Sequence, residues 1–252
     1  MDEQDSKPLN TLKIAITSIF TALVFVATFL TQINLPISGG YFNLGEVVIY
    51  VTALSFGPWI AAFAGGVGSM LSDMIGYPMY APWTLLIKAT EGFVVGLIFT
   101  KLKQKGTQFR QATPKEMLSL LVFGFISSGS LLIFGMAFYP DGLIIWLVFS
   151  AIMLIAIIFA VYYIKVDMYK ITMSVLVGMI IMVIGYFFSE WLIIYGVGGT
   201  VIGLEKGLSE IPANILQCLV GMYLAIPIYQ ALFKSKILEI VAMYPKKREI
   251  AE

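Results

Sequence analysis

The sequence predicts an all-α polytopic membrane protein. Of its 252 residues, 59% belong to the hydrophobic set AVILMFWYC, the mean hydropathy is +0.91, and only 12% are charged. A soluble domain carries about a quarter charged residues. The apolar runs are continuous and do not alternate with polar residues, which favours membrane helices over a transmembrane β-barrel.

Composition also excludes several classes of function. The net charge of +1 gives no global field that would attract nucleic acid. Cys218 is the only cysteine, and no histidine is present, so an internal disulfide, a His-dependent triad and a His-ligated metal are all excluded. Because the chain has no phosphate-binding loop motif, any energy from ATP would come from a partner. We expect no enzyme activity and no cofactor.

Eight hydrophobic segments follow one another along the chain, and each predicts a helix. They are residues 11–31, 44–56, 59–75, 83–100, 117–138, 143–164, 171–194 and 212–233, numbered here as segments 1 to 8. Pro36, Gly39 and Gly40 interrupt the loop 33–42, and Gly57-Pro58 separates segments 2 and 3. No small-residue cleavage site follows segment 1, which is therefore predicted to be a retained helix and not a signal peptide.

The basic residues predict the topology. All but two of the 16 lie in the two tails, at the very start of segment 1, or in the loops after segments 4 and 6. With eight alternating helices these regions share one side of the membrane, and cytoplasmic loops collect Lys and Arg. The exceptions are Lys88, inside segment 4, and Lys206, in the predicted outer loop before segment 8. The chain is thus predicted to be one membrane domain, 1–252, with both termini cytoplasmic.

Ionisable residues within the segments lie toward their outer ends, while the inner halves are nearly free of charge. Such residues are costly in a membrane and mark functional sites by default. They are Glu46, Asp73, Lys88, Glu91 and Glu190, and Glu210 directly precedes segment 8 on the same side. Asn214 and Gln217 share a helix face, and their amides suit the edge of a heterocycle. Aromatic residues at the same level could stack on a planar ligand.

Structural explanations stay open for several of these residues. Tyr80 and Trp191 would equally form an interfacial aromatic belt. Lys88 and Glu91, three residues apart, would equally form an ion pair that only joins two helices. Small residues form stripes on segments 1 and 3, and on segment 3 they predict internal packing.

Several blocks of the sequence resemble the substrate-binding S component of energy-coupling factor (ECF) vitamin transporters. They are GYFNLGEVVIY (40–50), FGPW (56–59), GGVGSMLSD (65–73), GYPMYAPWTLLIKATEG (76–92) and SEIPANILQ (209–217). The resemblance implies a six-helix core, 11–100 and 171–233, in which segments 5 and 6 (117–164) are an inserted transmembrane hairpin. It implies high-affinity binding of a vitamin-like molecule at the outer face of the plasma membrane. The partners it implies are a transmembrane T subunit and two ATPases, with no nucleic acid.

The resemblance also implies roles for individual residues. Ala15, Ser18 and Ala22 match the position of the T-subunit docking stripe, with Ser18 in place of an alanine. The implied substrate-binding residues are Tyr41, Asn43, Tyr77, Trp83, Lys88, Glu91, Tyr186, Glu190, Asn214 and Gln217. The substrate stays open among riboflavin, a thiamine precursor, pantothenate, folate and a corrinoid. Riboflavin or a pyrimidine precursor is preferred, because stacking residues and amides outnumber basic ones.

A stand-alone ion-coupled secondary transporter of a small organic solute is the alternative. Such a protein needs a polar pathway that is reachable from both sides of the membrane. The charge-poor inner halves of the segments count against it.

Overall fold

The computed structural model describes residues 7–34, 40–104, 168–198 and 200–235, with single positions between 114 and 158. Its elements are α1 (Lys7–Leu30), β1 (Ile33–Asn34), β2 (Tyr41–Phe42), α2 (Gly45–Phe56), α3 (Pro58–Gly76), α4 (Ala81–Gln104), α5 (Met168–Gly198) and α6 (Thr200–Lys234). The described ranges are therefore almost entirely helical, as predicted. Segments 1 to 4 match α1 to α4 to within a few residues at each end.

Three helices in the described part of the chain are long and apolar enough to cross a membrane. They are Thr11–Leu30 of α1, Lys170–Ile193 of α5 and Ile202–Lys234 of α6. Helix α2 has 12 residues, about 18 Å at 1.5 Å per residue, which is too short to span a bilayer. Most of its residues are buried, and it packs against α4 and α6 in the middle of the bundle.

The chain between α1 and α2 forms a short antiparallel pair. Ile33 lies opposite Phe42, and Asn34 lies opposite Tyr41. The Thr31 hydroxyl accepts a 2.8 Å hydrogen bond from the backbone N–H of Leu44, which fixes the return of the chain into α2. The turn between the strands, residues 35–39 with the predicted breakers Pro36 and Gly39, lies outside the described residues. We call the end of the bundle that carries this pair and the α3–α4 turn the pocket end.

Glycine allows α3 and α4 to pack closely. A Cβ on Gly92 would lie 2.7 Å from the carbonyl oxygen of Ala61, closer than two such atoms can approach. The small residues of segment 3 are buried, among them Ala61, Gly65 and Ser69. The predicted internal packing of this stripe is therefore confirmed.

The predicted outer loop before segment 8 is wrong. Helix α5 continues to Gly198, α6 already begins at Thr200, and Pro212 lies inside α6. Tertiary contacts explain the extension, because Gly207 packs closely on Phe187 of α5 and Lys206 forms an ion pair with Glu190 of α5. Inside a helix, a proline removes only one backbone hydrogen bond, which neighbouring contacts can offset. Lys206 is thus part of a helix wall.

Segments 5 and 6 lie mostly outside the described residues. The single positions that are described there are helical, and two of them are in mutual contact. The Ser128 hydroxyl donates to the Ser150 carbonyl at 3.1 Å, and the Ser150 hydroxyl donates to the Ser128 carbonyl at 3.0 Å. The eight-helix count, the inserted hairpin and the side of the termini stay predictions.

Candidate ligand-binding site

A cavity lies at the pocket end, between the β1–β2 pair, the α3–α4 turn and helices α5 and α6. Its volume is about 40 Å³, room for about three water molecules. A vitamin-sized ligand would therefore need the walls to move apart. The lining residues are Gly40, Tyr41, Asn43, Asp73, Tyr77, Tyr80, Met182, Tyr186, Glu190, Glu210, Asn214 and Gln217.

Three tyrosines form one wall of this cavity. The rings of Tyr41 and Tyr77 stack with centroids 4.9 Å apart and planes 28° apart, and Tyr80 meets Tyr77 edge-on at 6.4 Å. Tyr77 donates a 2.8 Å hydrogen bond to the side-chain oxygen of Asn34. Burial raises the pKa of Tyr41 well above its usual value, and the Asp73 carboxylate adds to this shift. Tyr41 therefore stays protonated and acts as a hydrogen-bond donor.

Asp73 joins four parts of the chain at this level. Its carboxylate accepts hydrogen bonds from the hydroxyls of Tyr41 in β2 and Thr84 in α4. Thr84 in turn accepts a 3.3 Å hydrogen bond from Tyr186 of α5. Asp73 is only 2% exposed, so these donors replace the water that the carboxylate has lost.

A cluster of Tyr80, Glu190 and Lys206 closes the rim of the cavity. The Lys206 ammonium lies 3.2 Å from Glu190 Oε2 and donates to the Tyr80 hydroxyl at 2.8 Å. Tyr80 donates to the same Glu190 oxygen at 2.9 Å. We call these three residues the rim cluster, and it links the α3–α4 turn to both α5 and α6.

A second cluster lies beneath the cavity and is almost fully buried. The Lys88 ammonium contacts Glu46 Oε1 of α2 directly and lies 3.1 Å from Glu91 Oε2 on its own helix. Tyr50 donates a 2.7 Å hydrogen bond to the other Glu91 oxygen. We call Glu46, Lys88 and Glu91 the buried cluster; all three are at most 3% exposed. The predicted Lys88–Glu91 pair is confirmed, with Glu46 as a further partner.

Hydrogen bonds connect the buried cluster to the cavity wall through Gln217. Its Nε2 donates to Glu46 Oε1 at 3.1 Å. Its Oε1 accepts from the backbone N–H of Asn43 at 2.9 Å and from Asn43 Nδ2 at 3.2 Å. Asn43 Oδ1 then accepts from the Gly45 N–H at 2.7 Å, at the start of α2.

The structure brings seven of the ten predicted binding residues to the cavity wall: Tyr41, Asn43, Tyr77, Tyr186, Glu190, Asn214 and Gln217. The other three do not line it. Trp83 packs partly buried against the hydrophobic core, and Lys88 and Glu91 belong to the buried cluster. A role of any of the ten in ligand binding stays a prediction.

Five lining residues were not among the ten predicted binding residues: Gly40, Asp73, Tyr80, Met182 and Glu210. Of these, Asp73 and Glu210 were among the ionisable residues predicted to lie at this level. Helical spacing could have found two of them. Glu210 precedes Asn214 by four residues, and Met182 precedes Tyr186 by four, so each pair shares a helix face. Tyr80 and Asp73 reach the cavity through tertiary contacts that no local pattern reports.

The predicted docking stripe lies on the surface of the described bundle. Ala15, Ser18 and Ala22 are exposed along α1, next to exposed apolar residues such as Ile14 and Ile19. A face of this kind suits either lipid or a partner helix. Docking of a T subunit there stays a prediction.

Comparison with known proteins supports the resemblance for the N-terminal half of the chain. Residues 8–126 match the family described as ECF-type riboflavin transporter, S component. A thiamine precursor transporter, HmpT, of Lactococcus lactis is 34% identical over 90 residues, 35% of this chain and 54% of the relative. An uncharacterized Pyrococcus woesei protein is 53% identical over 73 residues, 29% of this chain and 49% of the relative.

The chain spans about half the length of these curated relatives. Over residues 8–126 its predicted relationship to S components is confirmed. The block 209–217 lies outside the matched residues, and its resemblance stays a prediction. The three apolar helices in the described part of the chain are those of a membrane protein, and the match over residues 8–126 is to a transporter component.

Proposed function

We propose that this chain is the substrate-binding S component of an ATP-driven ECF importer and holds a vitamin or vitamin precursor in the cavity at the pocket end. One observation carries the proposal. Side chains from the β1–β2 pair, the α3–α4 turn, α5 and α6 converge there to combine stacking rings with side-chain amides. Concave sites with aromatic walls and a few placed polar groups are typical of small-molecule binding.

The preferred substrate is a planar heterocycle, either riboflavin or a pyrimidine precursor of thiamine. The description of the matched family names riboflavin, and the description of the Lactococcus lactis relative names a thiamine precursor. Asp73, Glu190 and Glu210 line the cavity, whereas no Lys or Arg is among its described lining residues. Such a wall repels polyanions such as folate and suits a neutral or cationic ligand.

In the proposed mechanism the ligand enters from the outer face. The rim cluster opens, the β1–β2 pair moves aside, and the ligand stacks on Tyr41 and Tyr77 between the amides of Asn43 and Asn214. Return of this pair then excludes water and holds the ligand. Release inward needs the T subunit and the two ATPases, because binding energy alone cannot also open the site from the other side.

Mass spectrometry of the co-purified ligand tests the proposal. The protein is purified in detergent and denatured, and the extract is expected to contain a flavin or a pyrimidine at a molar ratio near one. A pull-down from the native host is expected to recover a T subunit and two ATPases. Uptake by the protein alone in proteoliposomes, driven by an ion gradient, would instead support the ion-coupled transporter.

A further inference from the structure

The amide of Gln217 can take only one orientation in the folded protein. Lysine has donors and no acceptor, so Glu46 Oε1, which contacts the Lys88 ammonium, must act as an acceptor. The Gln217 atom that bonds to the same oxygen must therefore be the donor, Nε2. At the other end of the amide a backbone N–H of Asn43 can only donate, so it requires the carbonyl oxygen of Gln217.

The same reasoning fixes the neighbouring amide. The Gly45 N–H needs an acceptor, so it holds Asn43 Oδ1, and Asn43 Nδ2 then faces Gln217 Oε1. Gln217 Oε1 already accepts two hydrogen bonds, which fill both of its lone pairs. Within the described part of the chain, one N–H of each amide nitrogen has no acceptor. The cavity wall formed by Asn43 and Gln217 therefore offers donors.

We propose that Glu46 is a specificity-determining positioning residue: by orienting Gln217, it makes this wall a hydrogen-bond donor and selects ligands with an acceptor on the facing edge. The acceptor would be a ring nitrogen or a carbonyl oxygen. This inference rests on the proposed function, since it concerns the ligand of the same cavity. Glu46 does not line the cavity and acts through Gln217.

Glu91 provides a matched control for Glu46. Both are buried glutamates that pair with Lys88, and removing either one leaves Lys88 with a single carboxylate. Only Glu46 is bonded to Gln217, while Glu91 is bonded to Tyr50. Glu46→Met and Glu91→Met therefore make the same change in charge and differ in whether Gln217 keeps its acceptor. Glu46→Gln should rescue the orientation, because the new amide also turns its oxygen toward Lys88.

The first measurement needs no ligand. The side-chain N–H signals of Gln217 are recorded by NMR in selectively labelled protein in detergent and assigned with Gln217→Leu. Exchange of these hydrogens with water is expected to become about tenfold faster in Glu46→Met, and to change little in Glu46→Gln and Glu91→Met. Equal exchange in Glu46→Met and Glu91→Met would overturn the positioning role.

The second measurement compares ligands that differ by one acceptor. Riboflavin is titrated against 1-deazariboflavin and 5-deazariboflavin, and 4-aminopyrimidine against 2-aminopyridine, which lacks one of its two ring nitrogens. The wild-type protein is expected to prefer one parent compound over an analogue by about tenfold. This preference should persist in Glu46→Gln and fall to about twofold in Glu46→Met. In Glu91→Met both affinities can fall, but their ratio should stay the same.

The two measurements separate failure of the inference from failure of the proposed function. A wild-type protein that binds none of these compounds and carries no flavin or pyrimidine on purification contradicts the proposed function, while the exchange rates still decide whether Glu46 orients Gln217. A wild-type preference that Glu46→Met retains in full overturns Glu46 as a specificity determinant. A preference lost equally in Glu46→Met and Glu91→Met overturns it too, since that result is an effect of charge.

Discussion

The rim cluster and the buried cluster each hold a lysine against a carboxylate, in different surroundings. Lys206 contacts one carboxylate and the Tyr80 hydroxyl, whereas Lys88 contacts two carboxylates. The Lys206 side chain at the rim is 22% exposed, whereas that of Lys88 is 4% exposed. Water can replace the partners of an exposed charge and cannot reach a buried one. The rim cluster is therefore suited to opening and closing, and the buried cluster to holding α2, α4 and the Gln217 amide in place.

The largest effect is expected from removing the buried cation. Lys88→Met leaves Glu46 and Glu91 buried together without a counter-charge, which should cost about 3–5 kcal/mol of stability. Thermal unfolding of the purified protein in detergent measures this, with Lys206→Met as the matched variant at the rim. We expect the rim variant to cost at most about 1 kcal/mol. Equal losses in the two variants would mean that burial does not distinguish the clusters.

An intermediate effect, on ligand affinity, is expected at the cavity wall between the two clusters. Asn214 lines the cavity, so Asn214→Ala should weaken ligand binding tenfold or more, about 1.4 kcal/mol, by removing a hydrogen bond to the ligand. Titration with the co-purified ligand measures the affinity. Ser174→Ala, which removes a buried hydroxyl of α5 far from the cavity, serves as the control. Unchanged affinity in Asn214→Ala would refute the assigned wall.

A smaller effect is expected when the rim cluster is opened. Lys206→Ala removes the ion pair with Glu190, so the ligand should associate and dissociate faster by about twofold to fivefold, with little change in affinity. Stopped-flow measurements follow both rates, and added salt should accelerate the wild-type protein toward the variant. If the rates of the wild-type protein and Lys206→Ala coincide at low salt, the rim cluster is not a barrier to the ligand.

The smallest effect on either cluster is expected from a change on α1. Ala15→Trp adds bulk to the exposed face and touches neither cluster, so ligand affinity and unfolding should stay the same. Co-purification with the T subunit should be abolished, because a large side chain prevents close helix approach. Trp59→Ala on α3, where the side chain is also exposed, is the control that should keep the partner. Retained co-purification of Ala15→Trp would remove α1 as the docking face.

Local sequence patterns were sufficient to predict the boundaries of α1 to α4 to within a few residues. The Gly57-Pro58 junction predicts the break that the structure shows, where Gly57 adopts a φ of 85° that favours glycine and Pro58 begins α3. The same proline rule misplaced the start of α6, because Pro212 fits the first turn of a helix equally well. There, contacts between Gly207 and Phe187 decided the boundary, and such contacts cannot be read from local sequence.

In the candidate site, too, some contacts could be predicted from local spacing and others depend on tertiary packing. The three-residue spacing of Lys88 and Glu91 predicts their pairing. Glu46 lies 42 residues from Lys88 in the sequence, and only the packing of α2 against α4 brings them together. The amides of Asn43 and Gln217 were predicted to be at the site, but their orientation depends on that same tertiary contact.

The cavity wall is built from two stretches that lie far apart in the sequence. Its lining residues from Gly40 to Tyr80 lie within the matched region 8–126, and those from Met182 to Gln217 lie beyond it, on the adjoining helices α5 and α6. Helices α5 and α6 pack on α4 and α2, and this packing joins the two stretches. A change in that packing would therefore reshape the cavity without any substitution among its lining residues.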